Sequence, residues 1–167
     1  MSAKELERLE KSVDRLKDQL AGKRNTLVTI APEEKIRIRQ QIEDLRVEIR
    51  EFEQEKWALI AEMSNDISVS EKEAETIVAE IIENEGAIVA NAPSQTPPAI
   101  LALLHQILDK LNEPDPTAAA KLKGVISSFP PFVSVSYEAE LDTEQTLRKY
   151  FPTFRRWSRE VVERVKK

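Results

Sequence analysis

Apolar residues recur at alternating steps of three and four in two places near the start of the chain. The first stripe is Leu6, Leu9, Val13, Leu16 and Leu20; the second is Ile38, Ile42, Leu45, Ile49 and Phe52, continued by Leu59 and Met63. Set antiparallel, Leu6 meets Phe52, Leu9 meets Ile49, Val13 meets Leu45, Leu16 meets Ile42 and Leu20 meets Ile38, and each pair of numbers adds to 58. A helix doubling back on a second helix stacks such layers without a slip in register. The pattern therefore predicts an antiparallel coiled-coil helical hairpin over residues 1–64. A parallel dimer of the second helix would set Glu48 against Glu53 of its mate and leave the first stripe unexplained.

The first helix is predicted from Ala3 to Lys23, stopping near Gly22 because glycine is favoured just past a helix end. The link Asn25–Ala31 is apolar for a loop, and Leu27, Val28 and Ile30 are expected to plug the end of the hairpin. Pro32 suits a first helical position, with Glu33 and Glu34 beside the positive helix start. At about 1.5 Å per residue the second helix, running to Met63, spans about 48 Å and the first about 30 Å. The surplus turns carry Trp57, Leu59, Ile60 and Met63, which this reading leaves open as an apolar interface for a second subunit or for the rest of the chain.

Beyond Ser64 the period changes, and residues 65–167 read as a compact, mostly helical α+β domain with few strands. Ser70 and Glu73 form a capping box ahead of Ala74, Ile77, Val78, Ile81 and Ile82, a helix expected to stop near Gly86. Residues 87–90 fit either a short strand or a loop. Thr96-Pro97 opens a broad apolar helix from Ile100 to Leu111, and Asp115-Pro116 starts another through Ser127. Val133, Val135, Tyr137, Ala139 and Leu141 alternate with polar residues, as a strand with one buried face does. Asp142 with Gln145 caps a helix to Tyr150; Pro152 interrupts it, and a last helix places Phe154, Trp157, Val161 and Val165 on one side.

Composition narrows the chemistry. The 167 residues include no cysteine, one histidine and three glycines, so no thiolate site and no phosphate-cradling loop are available. His105 has no second histidine to share a metal, and Glu138, Glu140 and Asp142 are explained by a solvated strand face. No catalytic, cofactor or metal site is predicted, and the expectation is a non-enzymatic protein. No apolar run approaches a membrane span, and the charged start is not a secretory signal, so a cytoplasmic protein is expected.

The net charge of −5 is unevenly spread: residues 65–142 hold 4 basic and 13 acidic groups, while residues 143–167 hold 8 and 3. Arg148, Lys149, Arg155, Arg156 and Arg159 interleave with Tyr150, Phe151 and Trp157. Such a patch can bind nucleic acid or an anionic membrane. The simpler reading buries the aromatics and pairs the arginines with the acidic middle of the chain.

Two segments also carry a resemblance. Thr29-Ile30-Ala31-Pro32-Glu33-Glu34-Lys35 running into Gln40-Gln41-Ile42-Glu43-Asp44-Leu45 resembles the coiled-coil heads of cyanobacterial signalling and defence-type proteins. Asp115 to Lys123, Pro130-Pro131, Tyr137-Glu138, Leu141 to Glu144 and Phe151 to Phe154 resemble an accessory module found beside such heads. The resemblance implies a connector and transfers no functional residue. The expectation is a protein–protein interaction or oligomerisation module, an adaptor or scaffold in bacterial signalling or defence, with a protein partner or a second copy (a dimer first) as its ligand.

Overall fold

The computed structural model describes residues 2–127 and 143–166, and among them every regular element is a helix. In chain order these are α1 (Ser2–Thr29), α2 (Pro32–Ser64), α3 (Glu71–Ala90), α4 (Pro98–Leu111), α5 (Ala118–Ser127), α6 (Thr143–Tyr150) and α7 (Pro152–Lys166). The protein is mainly α. Contacts divide it into two units, Met1–Trp57 and Ala58–Lys167, with α2 running through the boundary.

In the first unit, α1 does not stop at Gly22. It continues to Thr29, because Gly22 keeps ordinary helical backbone and Thr26 Oγ1 donates to the Gly22 carbonyl at 3.0 Å. The expected loop shrinks to Ile30 and Ala31, and the plug does not form: Val28 is 80% exposed, with Leu27 and Ile30 half-buried. The break lies between Thr29 and Pro32, whose numbers add to 61, about one turn from the 58 of the predicted layers.

Leu6, Leu9, Val13 and Leu16 are buried along α1, as the heptad requires. The stripe on α2 drifts from its predicted course. Phe52 and Leu59 are only half-buried, while Ile38, Ile49 and Ile60, eleven residues apart, are buried together with Glu53 and Trp57. Eleven residues in three turns is 3.67 per turn, near the period of an unstrained α-helix, so α2 need not underwind as a heptad helix must. Side-chain bonds join α1 to α2, among them Lys23 Nζ donating to Gln41 Oε1 at 2.7 Å and Lys17 Nζ lying 3.3 Å from Glu53. The later residue of α1 thus takes the earlier residue of α2. Gln19 and Lys23 share one hollow with Gln41, Asp44, Leu45 and Glu48.

In the second unit α3 is the central helix, packed by α4, α5 and α7, while α4 meets α5 and α6 meets α7. Ser70 caps α3 by accepting the Glu73 N–H at 3.1 Å. The helix then runs through Gly86 to Ala90, so residues 87–90 are neither strand nor loop. Nothing crowds Gly86, its backbone is helical, and Asn91 closes the end by donating Nδ2 to the Ala87 carbonyl at 2.9 Å. Pro98 takes the first position of α4, one residue later than the Thr96-Pro97 cap implied. The strand predicted at Val133–Leu141 lies outside the described residues.

Candidate functional site

Glutamates of α3 organise the second unit. Glu71, at the first position of α3, reaches the start of α5, where Oε1 accepts the Ala118 N–H at 2.6 Å and Oε2 the Ala119 N–H at 3.3 Å. Helix starts leave such N–H groups without partners inside the helix, and the Thr117 hydroxyl satisfies a third, that of Ala120.

Along the seam between α3 and α7 the partners fall in antiparallel order. Glu73 takes Arg164 at 2.5 Å, Glu80 takes Arg156, and Asn84 Nδ2 donates to Thr153 Oγ1 at 2.8 Å. These pairs of numbers add to 236 or 237. The inner face of the seam is apolar: Ala74, Ile77, Val78 and Ile81 from α3, Phe154, Trp157 and Val161 from α7, all buried. Phe154 and Trp157 meet edge to face, with ring centroids 6.1 Å apart.

Glu85 ends this seam and is only 1% exposed. Its Oε1 accepts the Thr153 N–H at 3.2 Å, at the second residue of α7, while Oε2 has no hydrogen-bond partner. The residue before α7 is Phe151, which offers no capping oxygen, so Glu85 supplies the cap from another helix. Two effects oppose one another here. Burial disfavours the charged form, whereas the Thr153 hydroxyl and the Thr153 and Phe154 backbone N–H groups favour it. Burial wins, and the carboxyl is pushed up from 4.5 to about 7.

The predicted basic patch is dispersed among carboxylates. Glu144 on α6 gathers three of its arginines: Arg155 at 2.6 Å, Arg148 at 3.6 Å and Arg159 at 3.8 Å. Arg156 goes to Glu80, and Lys149 Nζ stands 5.2 Å from the centre of the Tyr150 ring. The aromatics Tyr150, Phe151, Phe154 and Trp157 are buried. Sequence reasoning missed Glu85 and Glu71, since nothing in the local pattern sets a glutamate of α3 against helix starts some 47 and 68 positions away.

The predicted interface residues Trp57, Leu59, Ile60 and Met63 are covered to different degrees. Trp57 is 6% exposed, Ile60 2% and Met63 9%, and Leu59 is half-buried. With α1 at 28 residues against 33 for α2, the overhang of α2 is shorter than the sequence implied. Among the described residues the large apolar side chains that do stand open are Val28, Ile36 at 76% and Val47 at 37%. His105 is exposed on α4. Among the described residues no three His, Asp or Glu side chains are grouped to hold a metal, and no helix is long and apolar enough to cross a membrane. No protein family, curated protein or solved structure matches the chain.

Proposed function

We propose that the protein is a non-enzymatic association module in which α1 and α2 close as an antiparallel coiled-coil hairpin and present their outer surface to another protein. An adaptor or scaffold in bacterial signalling or defence, working in the cytoplasm, is the biological setting this reading favours. Its homotypic form is a dimer or larger oligomer. The observation that carries it is the exposure of Val28 and Ile36 on either side of the Ile30–Ala31 break. Open β-branched side chains on an otherwise charged arm cost free energy in water that a partner surface would recover. The Lys17–Glu53 and Lys23–Gln41 bonds support the closed arm.

The test has two parts. The natural chain has no cysteine, so spin labels on Arg8→Cys and Glu51→Cys report the arm alone. A closed hairpin puts them within about 30 Å, and a straight rod of the intervening residues about 60 Å apart. Light scattering then gives the mass of the full chain: more than one chain is expected, decreasing with Val28→Ser/Ile36→Ser. A monomer at every concentration and salt would remove the homotypic reading.

The alternative, a nucleic-acid or anionic-membrane binder acting through Arg148, Lys149, Arg155, Arg156 and Arg159, draws support from the exposure of Arg148, Arg156 and Arg159. Against it stands the carboxylate beside each arginine of the patch.

A further inference from the structure

The two helices of the arm carry stripes of opposite charge with the same spacing. On α1, Lys4, Arg8, Lys11 and Arg15 follow one another at steps of four, three and four; on α2, Asp44, Glu48, Glu51 and Glu55 do the same. All eight residues are exposed. At 100° per residue the basic stripe lies across the wheel of α1 from buried Leu6, Leu9, Val13 and Leu16. The acidic stripe lies across α2 from buried Ile38, Ile49 and Glu53.

Within the chain these stripes are almost unused. Arg8 approaches only Glu5, at 3.9 Å and in the open, and Asp44 accepts only the neighbouring Gln40 amide at 3.0 Å. Lys4, Lys11, Arg15, Glu48, Glu51 and Glu55 make no side-chain hydrogen bond or ion pair among the described residues. Each stripe spans about 16 Å of helix.

Their spacings also match in antiparallel order. Lys4 with Glu55, Arg8 with Glu51, Lys11 with Glu48 and Arg15 with Asp44 all add to 59. The bonds that join α1 to α2 pair residues whose numbers add to 64 (Lys23–Gln41) and 70 (Lys17–Glu53), so in a closed arm the two stripes are offset along the axis by about 8–16 Å. They cannot reach one another inside one hairpin. A second arm laid alongside, pointing the same way and shifted along the axis by that offset, brings all four pairs together.

We propose that this surface binds a second copy of the chain: the basic face of one arm against the acidic face of the next, as a four-rung ladder of ion pairs. The contact joins two different faces with a shift along the axis, so it is heterologous and continues into an open row rather than ending at a two-fold dimer. Charge complementarity selects the partner and Val47, half-open at the margin of the acidic stripe, adds apolar contact. This inference rests on the closed hairpin proposed above and specifies how copies of it meet.

Charge reversal of the full chain tests it. One variant carries Lys4→Glu, Arg8→Glu, Lys11→Glu and Arg15→Glu; the other carries Asp44→Lys, Glu48→Lys, Glu51→Lys and Glu55→Lys. Exposed pairs are each worth a factor of about 1.5 to 5, so sedimentation should show self-association of the natural chain at low salt and a loss of about 10- to 100-fold in each variant. Mixing the two variants, or combining both sets in one chain, should restore it, and 0.5 M salt should abolish it in every case. Association that persists in both variants, or that mixing fails to restore while helicity is intact, overturns the proposal. So does a monomeric natural chain that binds DNA or acidic vesicles through the basic stripe. The Arg8/Glu51 spin-label distance separates the cases: a long distance means the hairpin itself has failed, a short one that only the ladder has.

Discussion

Glu85 shows how one side chain sets a pH dependence for its whole unit. Its carboxyl titrates near 7 in the fold against 4.5 when freely hydrated, so the folded state holds a proton the unfolded chain has released between those values. Stability from this group is therefore complete below pH 4.5, falls as pH rises, and is gone above about 7. The full swing is worth ~3 kcal/mol by the usual conversion of a pKa difference. Glu85→Gln keeps an oxygen for the Thr153 N–H and removes the charge. Urea unfolding from pH 5 to 8 should then lose most of its slope, with the variant the more stable at pH 8. Glu53 poses the opposite problem, a buried carboxylate held by a partly exposed lysine. Removing only the lysine, as in Lys17→Met, takes a charged partner from this buried acid and should cost ~1–3 kcal/mol in denaturant midpoints. Lys17→Met with Glu53→Leu should recover that loss, because an apolar pair of similar size often replaces a buried ion pair at no net cost.

At the scale of elements, the glycines distinguish the helices as expected from the helices as built. A glycine that ends a helix in left-handed backbone resists replacement, whereas one inside a helix is the weaker choice by about 0.5–1 kcal/mol relative to alanine. Gly22 and Gly86 have helical backbone and nothing within 4 Å of an added methyl. Gly22→Ala and Gly86→Ala should each raise stability by about 0.5–1 kcal/mol in thermal melts followed by circular dichroism, and a loss at either would restore the earlier helix end. Stripes and caps made most helices legible: Leu6 to Leu16, Ser70 with Glu73, and Phe154 to Val161 lie where their spacing put them. Glycine as a stop signal misled, since a lone glycine flanked by good helix formers is carried through. The heptad on α2 misled as well, because Phe52 and Glu53 are neighbours on one helix and only tertiary packing decides which of them turns inward. The glutamate caps on α5 and α7 were not legible at all, as each joins a helix start to a residue far away in the sequence.

For the whole molecule, the two units differ in how much apolar surface they bury. Among the described residues seven buried apolar side chains belong to Met1–Trp57 and twenty-one to Ala58–Lys167. With each large side chain contributing about 1.5–3 kcal/mol on full burial, the first unit has far less to set against the ordering of its two long helices. The chain supplies its own reporters, since its two tryptophans fall one in each unit, Trp57 in the first and Trp157 in the second, both buried. Trp157→Phe leaves a signal from the first unit and Trp57→Phe leaves one from the second. In urea the Trp57 signal should redden at the lower midpoint, with the Trp157 signal following, so that unfolding departs from a single two-state step. Helix α2 works against that separation, because it runs unbroken through the boundary and its last turns bury Ile60 and Met63 in the second unit. Coincident transitions in both variants would mean that this shared helix makes the molecule one cooperative body. A first unit that unfolds early would instead make the arm the part most stabilised by a bound neighbour, and raising protein concentration at low salt should then move the Trp57 midpoint upward while leaving that of Trp157 in place.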